Sequence, residues 1–267
     1  MLINSYRFAK PLLLDLYPGA ATAYSLRQLR NDYDGPVVRI RRSIDNLEQD
    51  FTAAQVGDGT LNTFCGAGDG FLRTWYDQTG NARNANQTSA ASQPQLVSSG
   101  AIVARNSKPT LLMNSSELFI SASLLSSQLF TIYTVVSSST SAGEREIVSN
   151  WNAPNNAIFL GTSGSVIRFT DRNINAGAFG STNTLKALDG YSGSGFHNLY
   201  VNNSLATTGG GFSGLVTNAN WYIGVQGVFA GKEYWSGNIS EVIIYPSDQS
   251  INRAQIAANI NLNYGLY

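Results

Sequence analysis

Paired carboxylates are the residues whose spacing in this sequence could support catalysis. Glu144 and Glu146 lie two residues apart, so on a β-strand both side chains would point to one face. Glu233 and Glu241 flank the entry to a predicted strand. One carboxylate of such a pair can act as a general acid and the other as a nucleophile or base. The alternatives are solvated charge for Glu144 and Glu146, which flank Arg145, and a paired structural carboxylate for Glu241.

A second set of oxygen-bearing side chains lies in the segment YDQTGNARN. Asp77, Asn81 and Asn84 could supply the hard oxygen ligands that calcium prefers. The competing interpretation is an Asx turn, in which the Asp77 carboxylate accepts backbone N–H groups. The chain has one histidine, His197, and one cysteine, Cys65, so the sequence offers neither clustered transition-metal ligands nor a disulfide framework. We expect no cofactor, with calcium as the one candidate, and a buried thiol at Cys65.

Aromatic side chains near turns could stack on sugar rings, because an exposed ring presents a flat apolar face. Trp151 in SNWNAPNN and Trp235 in KEYWSGN are predicted to be partly exposed, and Tyr234 precedes the second of them. The candidate carbohydrate site therefore contains Trp151, Trp235 and Tyr234, with Asp171 and Gln226 as polar members.

The composition is that of an all-β protein with one large core. Of the 267 residues, 43% are hydrophobic and only 13% are charged, and 26 are glycine. Lys plus Arg equals Asp plus Glu at 17 each, so no net field favours nucleic acid. No window approaches the roughly 20 apolar residues of a membrane span, and no cleavage pattern follows the apolar run at 12–16. We expect neither nucleic-acid binding, nor membrane insertion, nor a signal peptide.

Short apolar runs separated by turn residues must position these side chains. Val38 and Ile40 alternate with Arg39 and Arg41, which is the period of a strand with one buried face. Further runs are FLRTWY, PQLV, FTIYTVV, REIVSNW, AIFLG, VIRF, HNLYVN, WYIGV and ISEVIIY. Because no long helical pattern separates them, they predict two packed antiparallel sheets, a jelly-roll (concanavalin A-like) sandwich.

Two short helices and one domain complete the prediction. The pattern over 20–30 fits a short helix that ends at NDYDGP. Near the end of the chain, Ser250 would cap a helix with one apolar stripe, formed by Ile251, Ala254, Ala258 and Leu262. No linker interrupts the chain, so we assign residues 20–267 to a single sandwich domain and 1–19 to an N-terminal arm.

Two segments of the sequence resemble a known family. The motifs AYSLRQL, GPVVRIRRS and WYDQTGNARNA follow one another between Ala20 and Gln87. They resemble the opening of the catalytic domain of fungal arabinofuranosidase B enzymes, and equally the related modules of bacteriophage structural proteins. The segment from Trp221 to Tyr267 resembles the end of the arabinofuranosidase sandwich and the closing strand of laminin-G-like lectin modules. The resemblance implies a concanavalin A-like lectin/glucanase sandwich.

The resemblance also implies where catalytic carboxylates would lie. The family acid/base is an Asp in a glycine-rich turn after the penultimate strand, where this sequence reads IGVQG and the best match is Gln226. An amide cannot donate and retrieve a proton. The family nucleophile is a Glu in the strand after an FGT-like turn; after LGT at 160–162 this chain offers Asp171 and no Glu. Both departures predict a protein without catalytic residues.

Three functional hypotheses follow. The leading one is a non-enzymatic structural protein of a phage-like virion, as a head decoration, fibre or tail-associated component assembled in the host cytoplasm. Its arm, Met1 to Lys10, would dock on other virion proteins, and a homo-oligomer, specifically a trimer, is expected. The second is a carbohydrate-binding, lectin-like module, which can coexist with the first if the virion adheres to surface glycans. The third is an arabinofuranosidase-like glycoside hydrolase.

Overall fold

Antiparallel β-strands dominate the structure, as the short apolar runs predict. The computed structural model describes residues 9–140, 143–150, 157–169, 174–180, 182–210, 214–215, 217–227 and 232–267, with 174–178 described by their backbone alone. Within these ranges the chain forms an all-β sandwich with few helices.

The strands and helices have the following bounds. The strands are β1 Thr22–Ser25, β2 Val38–Arg42, β3 Glu48–Phe51, β4 Gly70–Trp75, β5 Ala85–Asn86, β6 Gln95–Ser98, β7 Ala101–Ile102, β8 Ala104–Arg105, β9 Lys108–Pro109, β10 Leu111–Met113, β11 Leu118–Ile120, β12 Phe130–Ser138, β13 Arg145–Ser149, β14 Phe159–Ser163, β15 Val166–Phe169, β16 Ile174–Ala178, β17 Lys186–Gly193, β18 Phe196–Val201, β19 Ser204–Gly210, β20 Trp221–Ile223 and β21 Gly237–Tyr245. The helices are α1 Leu13–Leu16, α2 Ala53–Gly57, α3 Thr60–Cys65 and α4 Arg253–Tyr264, with a 3₁₀ turn at Ala90–Ser92.

The strand pairings form two layers. The front sheet has the antiparallel order β3–β2–β4–β5–β11–β20–β13–β14–β15–β16. The back sheet has the order β7–β6–β10–β21–β12–β17–β18–β19, and β1 pairs with the same edge of β21 as β10. The pairing of β4 with β6 joins the two layers along one side.

The main hydrophobic core lies between the two sheets. Trp75 and Trp221 contribute from the front sheet, and Ile132 and Ile244 from the back sheet, all of them fully buried. Each large apolar side chain that is removed from water stabilises the fold by roughly 1.5–3 kcal/mol. This core fixes the strands of the front sheet, so the side chains on its outer surface have defined positions.

A second cluster covers the outer surface of the back sheet. Tyr133 and Ile243 alternate with core residues in β12 and β21, and therefore face the other way. They pack with Leu13 of α1 and Ile256 of α4. Helix α1, which lies within the segment assigned to the arm, is thus part of the folded body. None of the helices described is long and apolar enough to span a membrane.

The N-terminal helix differs in position from its prediction. Residues 20–30, predicted as a helix, contain strand β1. Ala23 belongs to the second cluster and Tyr24 to the main core, so consecutive residues face opposite sides, as in a strand. Hydrogen bonding to β21 therefore overrides the local helical pattern.

Helix α4 is present, but its predicted apolar stripe is wrong. Its N-cap is Asn252 rather than Ser250. The buried face carries Ile256, Ile260 and Tyr264, at a spacing of four residues. Ile251 is 84% exposed and Leu262 is 75% exposed, so the helix packs through a different side from the one predicted.

Candidate functional site

One row of side chains crosses the outer surface of the front sheet. Thr74, Asn86, Phe119, Tyr222 and Ser149 are consecutive cross-strand partners on β4, β5, β11, β20 and β13. Directly opposed residues in antiparallel strands point to the same side of a sheet. We call this surface the front face.

The centre of the front face is an aromatic pair. The ring centroids of Phe119 and Tyr222 lie 5.2 Å apart, and both side chains are half-buried. Burial raises the pKa of the Tyr222 hydroxyl, and the nearby Glu117 carboxylate adds to this effect. Lys232 Nζ lies 2.7 Å from Glu117 Oε2 and 5.8 Å from the ring centroid of Tyr234. Aromatic faces and hydrogen-bonding groups are therefore close together on an accessible surface.

A charged cluster lies beside Ser149 on the same face. Arg168 Nη2 contacts Glu146 Oε1 and lies 3.3 Å from Glu233 Oε2, while Arg168 Nη1 lies 2.5 Å from Glu144 Oε2. The guanidinium carbon of Arg168 lies 4.5 Å from the ring centroid of Phe159. We call Arg168, Glu144, Glu146 and Glu233 the carboxylate cluster. It combines one buried cation with three carboxylates of different exposure.

Glu146 owes its position in the carboxylate cluster to a glycine in the next strand. Gly161 of β14 lies opposite Glu146 of β13 and Arg168 of β15. A Cβ atom at Gly161 would overlap the backbone oxygen of Arg145 and the Glu146 carboxylate. The absence of a side chain at Gly161 therefore makes room for the buried carboxylate.

The protonation of Glu146 is set mainly by burial. Its side chain is fully buried, and desolvation raises its pKa to about 7, against the attraction of Arg168. Glu233 and Glu144 raise the pKa further by repulsion. Among the residues described, Oε2 of Glu146 has no hydrogen-bond partner. The protonated form of this buried carboxyl is therefore populated near neutral pH.

The predicted interpretations of the paired carboxylates have different outcomes. Glu144 is 42% exposed, which fits solvated charge, but its carboxylate also pairs with Arg168; full burial of Glu146 contradicts that interpretation. Glu241 is a paired structural carboxylate, as expected. Its two oxygens lie 2.8 Å from Nε and 3.0 Å from Nη2 of Arg27.

The predicted sugar-binding residues are only partly brought together. Trp235 is fully buried in the main core, so its predicted exposure is wrong; it packs across Phe179 rather than against solvent. Tyr234 does lie beside the front face, because its ring contacts Lys232, which in turn pairs with Glu117. Trp151 and Asp171 lie outside the described residues.

Gln226 lies next to the front face, but its side chain is nearly buried, at 6% exposure. The Ser149 hydroxyl donates to the backbone oxygens of Val225 and Gln226, at 3.0 and 2.8 Å. The backbone of this turn is therefore tied to strand β13. A role of the Gln226 side chain in sugar binding stays a prediction.

The loop that carries Asp77, Asn81 and Asn84 has the geometry of the competing interpretation. The Asp77 carboxylate accepts the backbone N–H groups of Thr79 at 3.0 Å and Arg83 at 3.2 Å. Asn84 Oδ1 accepts the N–H of Asp77 at 3.0 Å. Asp77 thus forms the Asx turn, and its oxygens are occupied by donors from the protein. Calcium binding by these three residues stays a prediction.

The two side chains with reactive potential are buried. Cys65 is a fully buried free thiol, as expected. His197 Nε2 lies 2.8 Å from the Ser192 hydroxyl, and burial lowers the pKa of the ring. Neither side chain lies on the front face.

Sequence analysis missed the residues at the centre of the site. Phe119 alternates with the core residues Leu118 and Ile120, and Arg168 interrupts the run VIRF. A residue between two apolar neighbours in a strand faces the opposite surface. That signal identifies both as candidates for the front face, but it does not reveal which strands are adjacent.

Comparison with known proteins defines the fold. No family model and no curated protein matches the chain. Among solved structures, a GH54 α-L-arabinofuranosidase soaked with a cyclic sulfate inhibitor has a TM-score of 0.65 and 16% sequence identity, covering 90% of this chain and 63% of that one. An arabinofuranosidase complexed with arabinofuranosyl-α-1,2-xylobiose has a TM-score of 0.65 and 17% identity, covering 90% and 62%.

A smaller neighbour matches over most of its own length. It is domain 4 of a GH43 extracellular arabinanase from Geobacillus stearothermophilus, in complex with arabinotriose. Its TM-score is 0.53 at 16% identity, covering 68% of this chain and 91% of that one. This chain spans less than two thirds of the length of the two arabinofuranosidases. At such identities the likeness establishes a shared β-sandwich fold.

Proposed function

We propose that the protein binds a carbohydrate on the front face. The observation that carries this proposal is the half-buried pair Phe119 and Tyr222, whose rings lie 5.2 Å apart on the outer surface of the front sheet. Sugar rings stack on such aromatic faces, because their C–H surface is apolar while their edges carry hydroxyl groups. Neighbouring polar side chains can then bind the hydroxyl groups.

The polar groups around the aromatic pair fit that chemistry. The Asn86 amide lies next to Phe119 across the strand pair, and donates to the backbone oxygen of Asn84 at 3.0 Å. Glu117 and Lys232 form an exposed ion pair beside Tyr222. Amides, carboxylates and ammonium groups are the donors and acceptors that orient a polyhydroxylated ligand.

The structural neighbours favour arabinose-containing ligands as the first to test. One carries arabinofuranosyl-α-1,2-xylobiose and another carries arabinotriose. The second neighbour is a single domain, and the match covers 91% of that domain. These two sugars are therefore the ligands to test first.

Glycoside hydrolysis is a second candidate, favoured by the carboxylate cluster. A retaining or inverting glycosidase needs one carboxyl that is protonated near neutral pH and one that is ionised. Glu146, with its pKa raised to about 7, fits the first role, and Glu233, 3.3 Å from Arg168, fits the second. Gln226 at the position expected for the family acid/base argues against it. The test is release of 4-nitrophenol from 4-nitrophenyl α-L-arabinofuranoside. Release by the wild-type protein that Glu146→Gln abolishes would support hydrolysis, and an inactive wild-type protein would contradict it.

The virion hypothesis rests on the sequence resemblance alone. No virion protein is among the structural neighbours described above. A particle component is expected to form a closed oligomer, such as a trimer, that depends on residues 1–10. Light scattering of the full-length protein and of a variant lacking residues 1–10 tests this. Monomers in both cases would contradict the virion hypothesis without affecting sugar binding.

Calorimetric titration with arabinotriose and with arabinofuranosyl-xylobiose tests the main proposal. We expect saturable binding by the wild-type protein and a loss of about tenfold or more in Tyr222→Ala. The matched control is Tyr267→Ala, because Tyr267 is 52% exposed and lies beyond α4 on the other side of the sandwich. Equal binding by Tyr222→Ala and the wild type would contradict the proposed location.

A further inference from the structure

A cavity of about 470 Å³ opens beside the N-terminal end of β1. It lies where the loop after β4 meets the chain entering β1. Its polar lining includes Arg30, Thr79, Asn81 and Arg83, and its remaining walls are small or apolar residues such as Gly19. We call it the end cavity. Its volume is within the range of small-molecule sites, about 300–1,000 Å³.

Among the residues described, the end cavity is lined by two cations and by no acidic side chain. Arg30 Nη1 donates to the Thr79 backbone oxygen at 2.8 Å, and Arg83 Nη1 donates to the Ala21 backbone oxygen at 3.0 Å. Arg30 also pairs with Asp32, whose side chain is 73% exposed. Within the described part of the chain, Arg83 has no carboxylate oxygen within 4.0 Å. Much of the hydrogen-bonding capacity of the two guanidinium groups thus remains for a ligand.

Arg83 is held in place by a buried network rather than by a flexible loop. Its N–H donates to Asp77 at 3.2 Å, and the buried Tyr24 hydroxyl donates to its backbone oxygen. Asp77 also accepts the N–H groups of Ala23 and Thr79, both at 3.0 Å. Because Asp77 is satisfied from inside the loop and does not line the cavity, it orients the loop without occupying the site.

Asn81 closes the cavity from the same loop. Its side-chain nitrogen donates to the backbone oxygens of Ala20 and Ala21, at 3.3 and 3.0 Å. Hydrogen bonds therefore join this loop to the segment that precedes β1 in the absence of a ligand. A preformed site loses little conformational entropy on binding.

We propose that the end cavity binds a small ligand that carries a carboxylate, sulfate or phosphate group, with Arg30 and Arg83 as its donors. The planar guanidinium group offers paired N–H donors that match two oxygens of such an oxyanion. The pairing of Arg30 with Asp32 does not block this role, because the Asp32 side chain is largely in solvent, where ion pairs are weak, and a ligand can displace it. The proposal rests on Arg30 and Arg83 and not on the aromatic pair, although Arg83 also lines a smaller cavity with Asn86 and Phe119.

Calorimetry of the full-length protein at constant ionic strength tests this proposal, with D-galacturonate, inorganic sulfate and inorganic phosphate as probes. D-galactose is the uncharged control. We expect saturable binding of at least one anion and none of galactose. Galacturonate alone would identify a carboxylate-bearing ligand, whereas sulfate or phosphate would identify a sulfated or phosphorylated one; either supports the proposal.

The variants Arg83→Gln and Arg30→Gln should each weaken binding by about tenfold or more. The matched control is Arg105→Gln, because Arg105 lies in the β8–β9 hairpin and does not line the cavity. Circular dichroism verifies that each variant is folded. If Arg83→Gln is unfolded, Arg83→Lys replaces it in the test, because lysine keeps the positive charge but lacks the paired N–H donors of the guanidinium group. The proposal is overturned if no anion saturates, if Arg83→Gln binds like the wild type, or if Arg105→Gln weakens binding equally.

Discussion

Asp189 shows how a single buried carboxyl can make stability depend on pH. It lies in β17 opposite Tyr133 of β12 and Tyr200 of β18, and is fully buried. Neither of its oxygens has a hydrogen-bond partner in the described part of the structure. Burial raises its pKa to about 7, with partial compensation from Arg253. The folded protein therefore retains a proton there that the unfolded chain releases at lower pH.

We expect Asp189→Asn to stabilise the protein above neutral pH. Because the folded-state pKa of Asp189 lies above the unfolded value of 3.8, the wild-type protein has its full stability below about pH 4. Its free energy of unfolding falls as the pH rises to about 7, whereas that of the Asp189→Asn variant does not fall for this reason. The loss is at most about 4 kcal/mol. Urea unfolding at about pH 5 and about pH 8 measures it. The gain in unfolding free energy from Asp189→Asn should be larger at about pH 8 than at about pH 5. The control Asp34→Asn, at an exposed position, should show no such difference between the two pH values. A gain from Asp189→Asn that is no larger at the higher pH, or a loss there, would contradict this interpretation.

Arg168 is the cation on which the carboxylate cluster depends. Replacing it by Met leaves Glu146 buried without its counter-charge, which should cost about 3–5 kcal/mol of unfolding free energy. Arg73→Met is the matched control, since Arg73 also lies on the front sheet but pairs weakly with Glu48, at 3.7 Å. Urea unfolding should separate the two variants clearly. If both lost less than about 1 kcal/mol, the cluster would not be structural.

At the scale of elements, strands were predictable and helix orientation was not. The run FTIYTVV predicts β12 correctly because its length and its β-branched residues suit a buried strand. At the C-terminal helix, by contrast, Ile251, just before α4, and Leu262, within it, are as apolar as Ile256 and Ile260. Only the position of the back sheet decides which pair is buried. Sequence alone could not resolve that choice.

The orientation of α4 can be tested with one pair of variants. Ile260→Ala removes a fully buried side chain from the second cluster and should destabilise the protein by about 2–5 kcal/mol. Leu262→Ala removes a side chain that is 75% exposed and should change stability by about 0.5 kcal/mol or less. Thermal unfolding of both variants provides the comparison. Larger destabilisation by Leu262→Ala would mean that the predicted stripe is the buried one after all.

For the whole molecule, the sandwich was predictable and the composition of the site was not. Alternating apolar runs and turn residues are local signals, and they predict two antiparallel sheets. The front face, however, joins Asn86, Phe119 and Tyr222 from distant parts of the sequence. The exposure predicted for Trp235 is wrong because its turn-rich neighbours in the sequence suggest a surface position, while packing in the main core buries the ring. Long-range register therefore determines the site.

The most direct test of carbohydrate binding on the front face is an amide NMR titration of the isotopically labelled protein with arabinotriose. We expect the largest shift changes at residues 86, 117–120 and 221–223, because a sugar stacked on Phe119 and Tyr222 alters their magnetic environment. Absence of saturable shifts, or shifts confined to the back sheet and α4, would contradict the account.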